Sequence, residues 1–271
     1  MRGFGVLLGG LAGALTLSVV SAANAGVLVA SGDEWTLSDY AYGAPYQAGT
    51  QAFVQDLAST FGGSNYLLLT GNSNVPVAQL SSLTDQLTAL GKTVQTSATF
   101  DLAIASGYDA VFHFGQAFTG AQLADLSAYL SGGGDAYVSL GSGWYGDAAS
   151  EAATWNPLLA DYGLVAGSTW FSAPDFVNVT VTQGPSGATN LIWGYGQSID
   201  RLPVGDGVSY VRGSFVGGPQ DIGLVGSSRP LGVALVPEPG TWGLMILGFA
   251  GMGLALRRRR GTMAGYSVKA T

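Results

Sequence analysis

His113 is the single histidine of this 271-residue chain. It is therefore the only side chain whose ordinary pKa allows proton exchange near neutral pH. It alternates with Phe112 and Phe114 in the run from Asp109 to Phe114, which sets it on one face of a buried strand near that strand's exit. Ser142, in Gly141-Ser142-Gly143, offers a hydroxyl on a tight turn. With an acidic third member, Ser142 and His113 would support acyl transfer. The competing reading is a hydrogen-bonded core histidine and a plain turn serine. Asp33, Glu34 and Asp39 lie close together in sequence and supply the hard oxygen ligands that Ca²⁺ takes. Their spacing is not that of a D-x-D-x-D-G calcium loop, so solvated loop acids are the alternative.

Trp35, Tyr40, Tyr42 and Tyr46 share that first acidic loop, and Trp144 and Tyr145 follow Ser142 directly. Exposed aromatics beside carboxylates and amides form platforms on which sugar rings stack. Trp35, Trp144 and the nearby Glu151 are thus candidate ligand-binding residues. Core and rim packing is the plainer role for the same rings.

Composition removes several chemistries. There is no cysteine, which excludes disulfides, thiolate metal sites and a cysteine nucleophile. One histidine excludes a multi-histidine zinc centre. Of the 17 acidic residues only Glu238 lies outside residues 26–236, whereas the basic residues of that segment are Lys92, Arg201, Arg212 and Arg229. The segment is more acidic than the whole-chain net charge of −7 implies. Nucleic acid is not an expected partner, because no basic stripe exists to neutralise phosphates.

Short apolar runs alternate with amphipathic stretches through the first half. Strands are predicted at 27–30, 66–69, 93–96, 109–114 and 136–140. Between them, Phe53, Leu57 and Phe61 mark a helix ending at Gly62-Gly63. Leu80, Leu83, Leu87 and Leu90 mark a second, closed by Gly91, and Leu123, Leu126, Tyr129 and Leu130 a third, stopped by Gly132 to Gly134. Asp147 or Ser150 reads as the cap of a helix carrying Glu151, and Asn156-Pro157 as the start of another. The expectation is an α/β fold: three layers, a mainly parallel sheet with right-handed crossovers and flanking helices. Antiparallel additions are predicted in the last third, at 178–182 and 208–211, with a final strand at 231–236. Ligands of such a sheet sit at the carboxyl ends of the strands, so the loops 31–46, 71–74, 115–118 and 141–147 are the ones to watch.

The two ends read as addresses. Arg2, the apolar stretch from Phe4 to Val20, and Ala23-Asn24-Ala25 have the layout of a signal peptide cut before Gly26. Pro237-Glu238-Pro239 precedes an uncharged run to Leu256, followed by Arg257, Arg258, Arg259 and Arg260. From Thr241 that run is about 24 Å long as a helix, somewhat short of the roughly 30 Å hydrocarbon core. Four arginines cannot follow it across, so Glu238 and its prolines face outward. The arrangement resembles the PEP-CTERM signal of bacterial exported proteins. That resemblance implies an exosortase in the inner membrane as the reader of Pro237 to Pro239, and an association with exopolysaccharide. Signal peptidase and the export translocon are the partners implied at the other end.

Residues 27–163 resemble class I glutamine amidotransferase-like, flavodoxin-type α/β domains. The pieces that carry the likeness are Val27 to Val29, Asp33 to Asp39, Tyr108 to Phe112, Tyr129 to Gly134, Gly141 to Gly143 and Glu151 to Asn156. Such enzymes place a cysteine on the turn after the strand equivalent to 136–140, where this chain has Gly141-Ser142-Gly143-Trp144. The expected organisation is a signal peptide (1–25), an α/β domain with a β-rich end (26–218), a terminal strand or linker (219–235), a sorting and anchor segment with a transmembrane helix (236–260), and a cytoplasmic tail (261–271). The expected function is that of an exported cell-surface or matrix protein whose domain binds extracellular polysaccharide without catalysis. A serine hydrolase built on Ser142 and His113 and a calcium-dependent adhesive module are the alternatives.

Overall fold

The computed structural model describes residues 25–172, 178–183, 190–214 and 221–232. Five strands alternate with helices. In chain order they are β1 (Leu28–Ser31), α1 (Gln47–Thr60), β2 (Asn65–Leu69), α2 (Ser81–Ala89), β3 (Thr93–Ser97), α3 (Leu102–Ala105), β4 (Ala110–Phe114), α4 (Gly120–Ser131), β5 (Asp135–Ser139) and α5 (Ala148–Asp161). Six strands follow: β6 (Leu164–Ser172), β7 (Asn178–Gln183), β8 (Asn190–Ile192), β9 (Tyr195–Arg201), β10 (Val208–Ser214) and β11 (Ile222–Ser227).

The main sheet has the order β3-β2-β4-β5-β1-β11-β10-β7-β8. Pairing is parallel from β3 to β1 and antiparallel from β1 to β8. The inner parallel strands β2, β4, β5 and β1 are buried on both faces because both are covered, whereas the edge strand β3 is polar and largely exposed. Leu68, Phe112 and Tyr137 pack with Phe53 and Leu57 of α1 and with Leu83 and Leu87 of α2. Leu67, Val111 and Val138 face the other way, toward Leu126 and Leu130 of α4 and Trp155 and Leu159 of α5. A ribbon of β6 and β9 adds Leu164, Ala166 and Ile199 to this second core.

Local signals act where they were expected. Gly91 (φ 82°) ends α2: its N–H donates to the Thr88 carbonyl and that of Lys92 to the Leu87 carbonyl, the paired bonds of a Schellman cap. Asp147 caps α5 through the Ser150 N–H at 2.7 Å.

Other elements differ from expectation. Helix α5 runs unbroken through Pro157 instead of restarting at Asn156. The Asn156 amide is used laterally: it donates to the Ala166 carbonyl and accepts from the Ala166 N–H. Strands β6, β8 and β9 were not foreseen. The last strand among the described residues lies at 222–227, between β1 and β10; of the strand expected at 231–236, Leu231 and Gly232 are not extended into a strand and residues 233–236 lie outside the described residues. Among the described residues no helix is long and apolar enough to cross a membrane. The helix expected within 236–260, Pro237, Glu238, Pro239, Arg257 to Arg260 and Ala23 all lie outside the described residues.

Candidate functional site

Adjacent strands whose following helices cover opposite faces open a crevice at their carboxyl ends. β2 beside β4 and β1 beside β5 are two such pairs. Their loops bring together Glu34, Asn72, Asn74, Gly115, Ser142 and Trp144. The meeting point is Gly115 (φ 79°). A Cβ there would lie 2.9 Å from the Ser142 Cβ and 3.1 Å from Glu34 Oε2.

Glu34 is buried, and its carboxylate accepts from the Asn72 side-chain amide at one oxygen and from Asn74 Nδ2 at 3.0 Å at the other. Burial pushes its pKa up to about 7, with smaller upward pushes from Asp33 and Glu151; the two amides oppose the rise. Asn72 does three further things. Its Nδ2 donates to the Phe114 carbonyl at 2.6 Å, and its Oδ1 accepts from the Asn74 N–H at 2.9 Å and from the Trp144 indole N–H at 3.0 Å. Trp144 is 51% exposed, so a rigidly tethered ring stands over a buried polar floor. Tyr195 is partly exposed on the same rim, beside Trp170 at 4.8 Å between ring centroids. A Cβ on Gly141, one residue before Ser142, would come within 3.1 Å of the Tyr195 carbonyl.

Asp33 is wholly buried. It accepts from the N–H groups of Trp35 (2.8 Å), Gly194 (2.6 Å) and Tyr195 (3.4 Å), which ties the first loop to the start of β9. Desolvation outweighs these bonds and raises its pKa to about 7. Asp39 points elsewhere: it accepts from Ser81 Oγ (2.6 Å) and the Ser82 N–H (2.8 Å), satisfying first-turn donors of α2. The expected Ca²⁺ set of Asp33, Glu34 and Asp39 is therefore split among three separate tasks. Among the described residues no three acids or histidines are grouped to hold a metal.

Ser142 and His113 do not pair. The Ser142 hydroxyl donates to Glu151 Oε1 at 3.3 Å, while Glu151 Oε2 accepts the Gly141 N–H at 3.0 Å. The positive backbone angles of this turn belong to Gly141 and Gly143 and not to Ser142, unlike a nucleophile elbow. His113 uses Nε2 on the Gln116 carbonyl (2.7 Å) and Nδ1 for the Gly115 N–H (3.4 Å). Its ring is wedged between Phe118 and Trp155. Burial depresses its pKa to about 4, against the opposing carbonyl bonds, so it is neutral at physiological pH. Glu151 is fully buried, and that burial raises its pKa; it anchors the 141–142 turn and presents nothing to a ligand. Trp35 is half-buried, edge-on to Tyr40 at 5.4 Å, with one side on the core. Of the expected ligand-binding residues only Trp144 is placed squarely on the rim.

Asn72, Asn74 and Tyr195 were not singled out from the sequence. The loop 71–74 was marked by its position after a strand, but nothing local distinguishes a bridging asparagine from a turn asparagine. A cleft of about 370 Å³ opens at the opposite end of the sheet, lined by Asp109 and Asp135 among others. Both acids there are occupied by main-chain N–H groups of Ser64 and Asn65 and of Val27 and Gly62.

Residues 235–260 match the PEP-CTERM protein-sorting motif. The matched stretch contains Pro237, Glu238, Pro239 and the four arginines 257–260, the residues from which the sorting address was read. It marks the chain for export to the cell surface or beyond, with an exosortase as its processing partner. No curated protein matches the chain.

Proposed function

We propose that the exported domain is a carbohydrate-binding module that engages extracellular polysaccharide at the carboxyl ends of its parallel strands. The observation that supports this reading most directly is the exposed Trp144 ring, tethered through its indole N–H to Asn72. A sugar ring stacked on that face would lie beside the exposed Asn74 and the rim of Tyr195. The immobilised indole costs little further side-chain entropy on binding. The α/β layout lacks the cysteine of the amidotransferases, and the site holds its polar groups in mutual hydrogen bonds, an arrangement suited to recognition.

In the same reading, residues 241–256 hold the chain in the inner membrane after signal-peptide removal, with arginines 257–260 on the inner side. Exosortase cleavage near Pro237 to Pro239 then releases the domain to a polysaccharide-rich surface. Affinity electrophoresis through gels containing alginate or a neutral β-glucan tests the binding. Retardation by at least one polysaccharide, lost in Trp144→Ala at unchanged melting temperature, is the expected result. Equal mobility of wild type and variant in every gel would refute it.

A further inference from the structure

Ala25 is exposed and Gly26 is buried. The Gly26 N–H donates to the Leu130 carbonyl at 2.7 Å, in the last turn of α4, a carbonyl that also accepts the Gly133 N–H at 3.0 Å. A Cβ at residue 26 would sit 1.7 Å from the Gly134 carbonyl oxygen, so glycine alone fits there. The next N–H, of Val27, donates to Asp135 Oδ1 at 2.7 Å. Gly26 also borders an open cavity of about 390 Å³ whose lining includes Asp161, Tyr162, Asp206 and Arg229.

We infer that the Ala25–Gly26 bond is the processing site and that the α-ammonium freed by its cleavage is a structural charge of the mature domain. Hydrolysis adds one water: Ala25 leaves as a carboxylate, and the Gly26 nitrogen becomes an ammonium with three donors where the amide had one. One donor keeps the Leu130 carbonyl. The positive charge meets the negative end of the α4 dipole. Around it, Asp135, Asp161 and Asp206 outnumber the Arg229 guanidinium, and the open cavity lets water solvate the remaining donors. Two independent features select the same bond. Ala23 and Ala25 give the small-residue cleavage pattern, and the Gly26 nitrogen that the cut frees already bonds within the domain. Cutting after Gly26 would remove the Leu130 contact. Cutting before Ala25 would leave the charge on an exposed residue, away from the helix end.

The test uses the processed protein purified from the cell envelope. Its first residue is expected to be Gly26. Carbamylation with cyanate near pH 7 removes the α-amine charge selectively, whereas reductive methylation keeps it. The carbamylated protein should melt about 2–4 °C lower, a shift corresponding to roughly 1 kcal/mol in a domain of this size. The methylated protein should stay closer to the untreated one. The α-amine should titrate above its ordinary range of about 7.7–8.0. A mature chain starting elsewhere would overturn the inference. So would a carbamylated protein with an unchanged melting point and an α-amine of ordinary pKa. Neither readout depends on polysaccharide binding.

Discussion

The indole N–H of Trp144 and the side-chain carbonyl of Asn72 meet at 3.0 Å, joining the loop after β5 to the loop after β2. The Asn72 amide nitrogen in turn holds Glu34 from the loop after β1. One asparagine thus registers three loops against each other. Replacing it by alanine leaves a buried carboxyl without its best donor and frees the indole. Asn72→Ala should cost about 1–3 kcal/mol in urea denaturation and should weaken polysaccharide retention as strongly as Trp144→Ala. Full retention with a mobile indole, read by tryptophan fluorescence anisotropy, would disconnect the tether from binding.

Stability should fall as pH rises from about 4 to 7. Asp33 and Glu34 have folded pKa values of about 7, above the ordinary carboxylate range, so the folded state holds more protons than the unfolded one in that window. Their contribution is complete below the unfolded pKa and is lost through pH 7. His113, depressed to about 4, works in the opposite sense, losing stability as pH falls from about 6.5. Two acids outweigh one histidine, so the melting temperature at pH 5 should exceed that at pH 8. Glu34→Gln should flatten the profile. A melting temperature that climbs steadily from pH 5 to 8 would contradict the assignment.

Ser142 should not react as a nucleophile. Its hydroxyl is committed to Glu151, and the only histidine is neutral and bonded to a backbone carbonyl. A fluorophosphonate probe should leave Ser142 unlabelled, and Ser142→Ala should cost about 1 kcal/mol through the lost hydrogen bond. Labelling at Ser142 that disappears in His113→Ala would restore a serine–histidine pair.

Asp39 should behave as a helix cap and not as a cation ligand. Asp39→Ala removes the acceptor for Ser81 and Ser82 at the start of α2 and should destabilise the domain by about 1 kcal/mol. Millimolar Ca²⁺ should leave the melting temperature of the wild type unchanged. A rise of several degrees, absent in Asp39→Ala, would reinstate the calcium reading.

What could be read along the chain was whatever depends on neighbours in sequence. Apolar runs and helical spacings marked the five parallel strands and most of their helices, Gly91 and Asp147 announced their caps, and the Pro-Glu-Pro, apolar and arginine succession announced the sorting motif matched at 235–260. The absence of cysteine and the single histidine narrowed the chemistry before any folding. Tertiary structure decided the rest, because those contacts join residues far apart in sequence. Strand β11 pairs with β1 across almost the whole domain, and its glycine-rich run looks like linker until Val29 and Ser227 are set side by side. Glu34 could be read as a calcium ligand and Ser142 as a nucleophile until the sheet order placed Asn72 beside the one and Glu151 beside the other. Burial then pushed the pKa values of these acids up and that of His113 down. A side chain's type is local, whereas its partner and its desolvation are set only when distant loops converge.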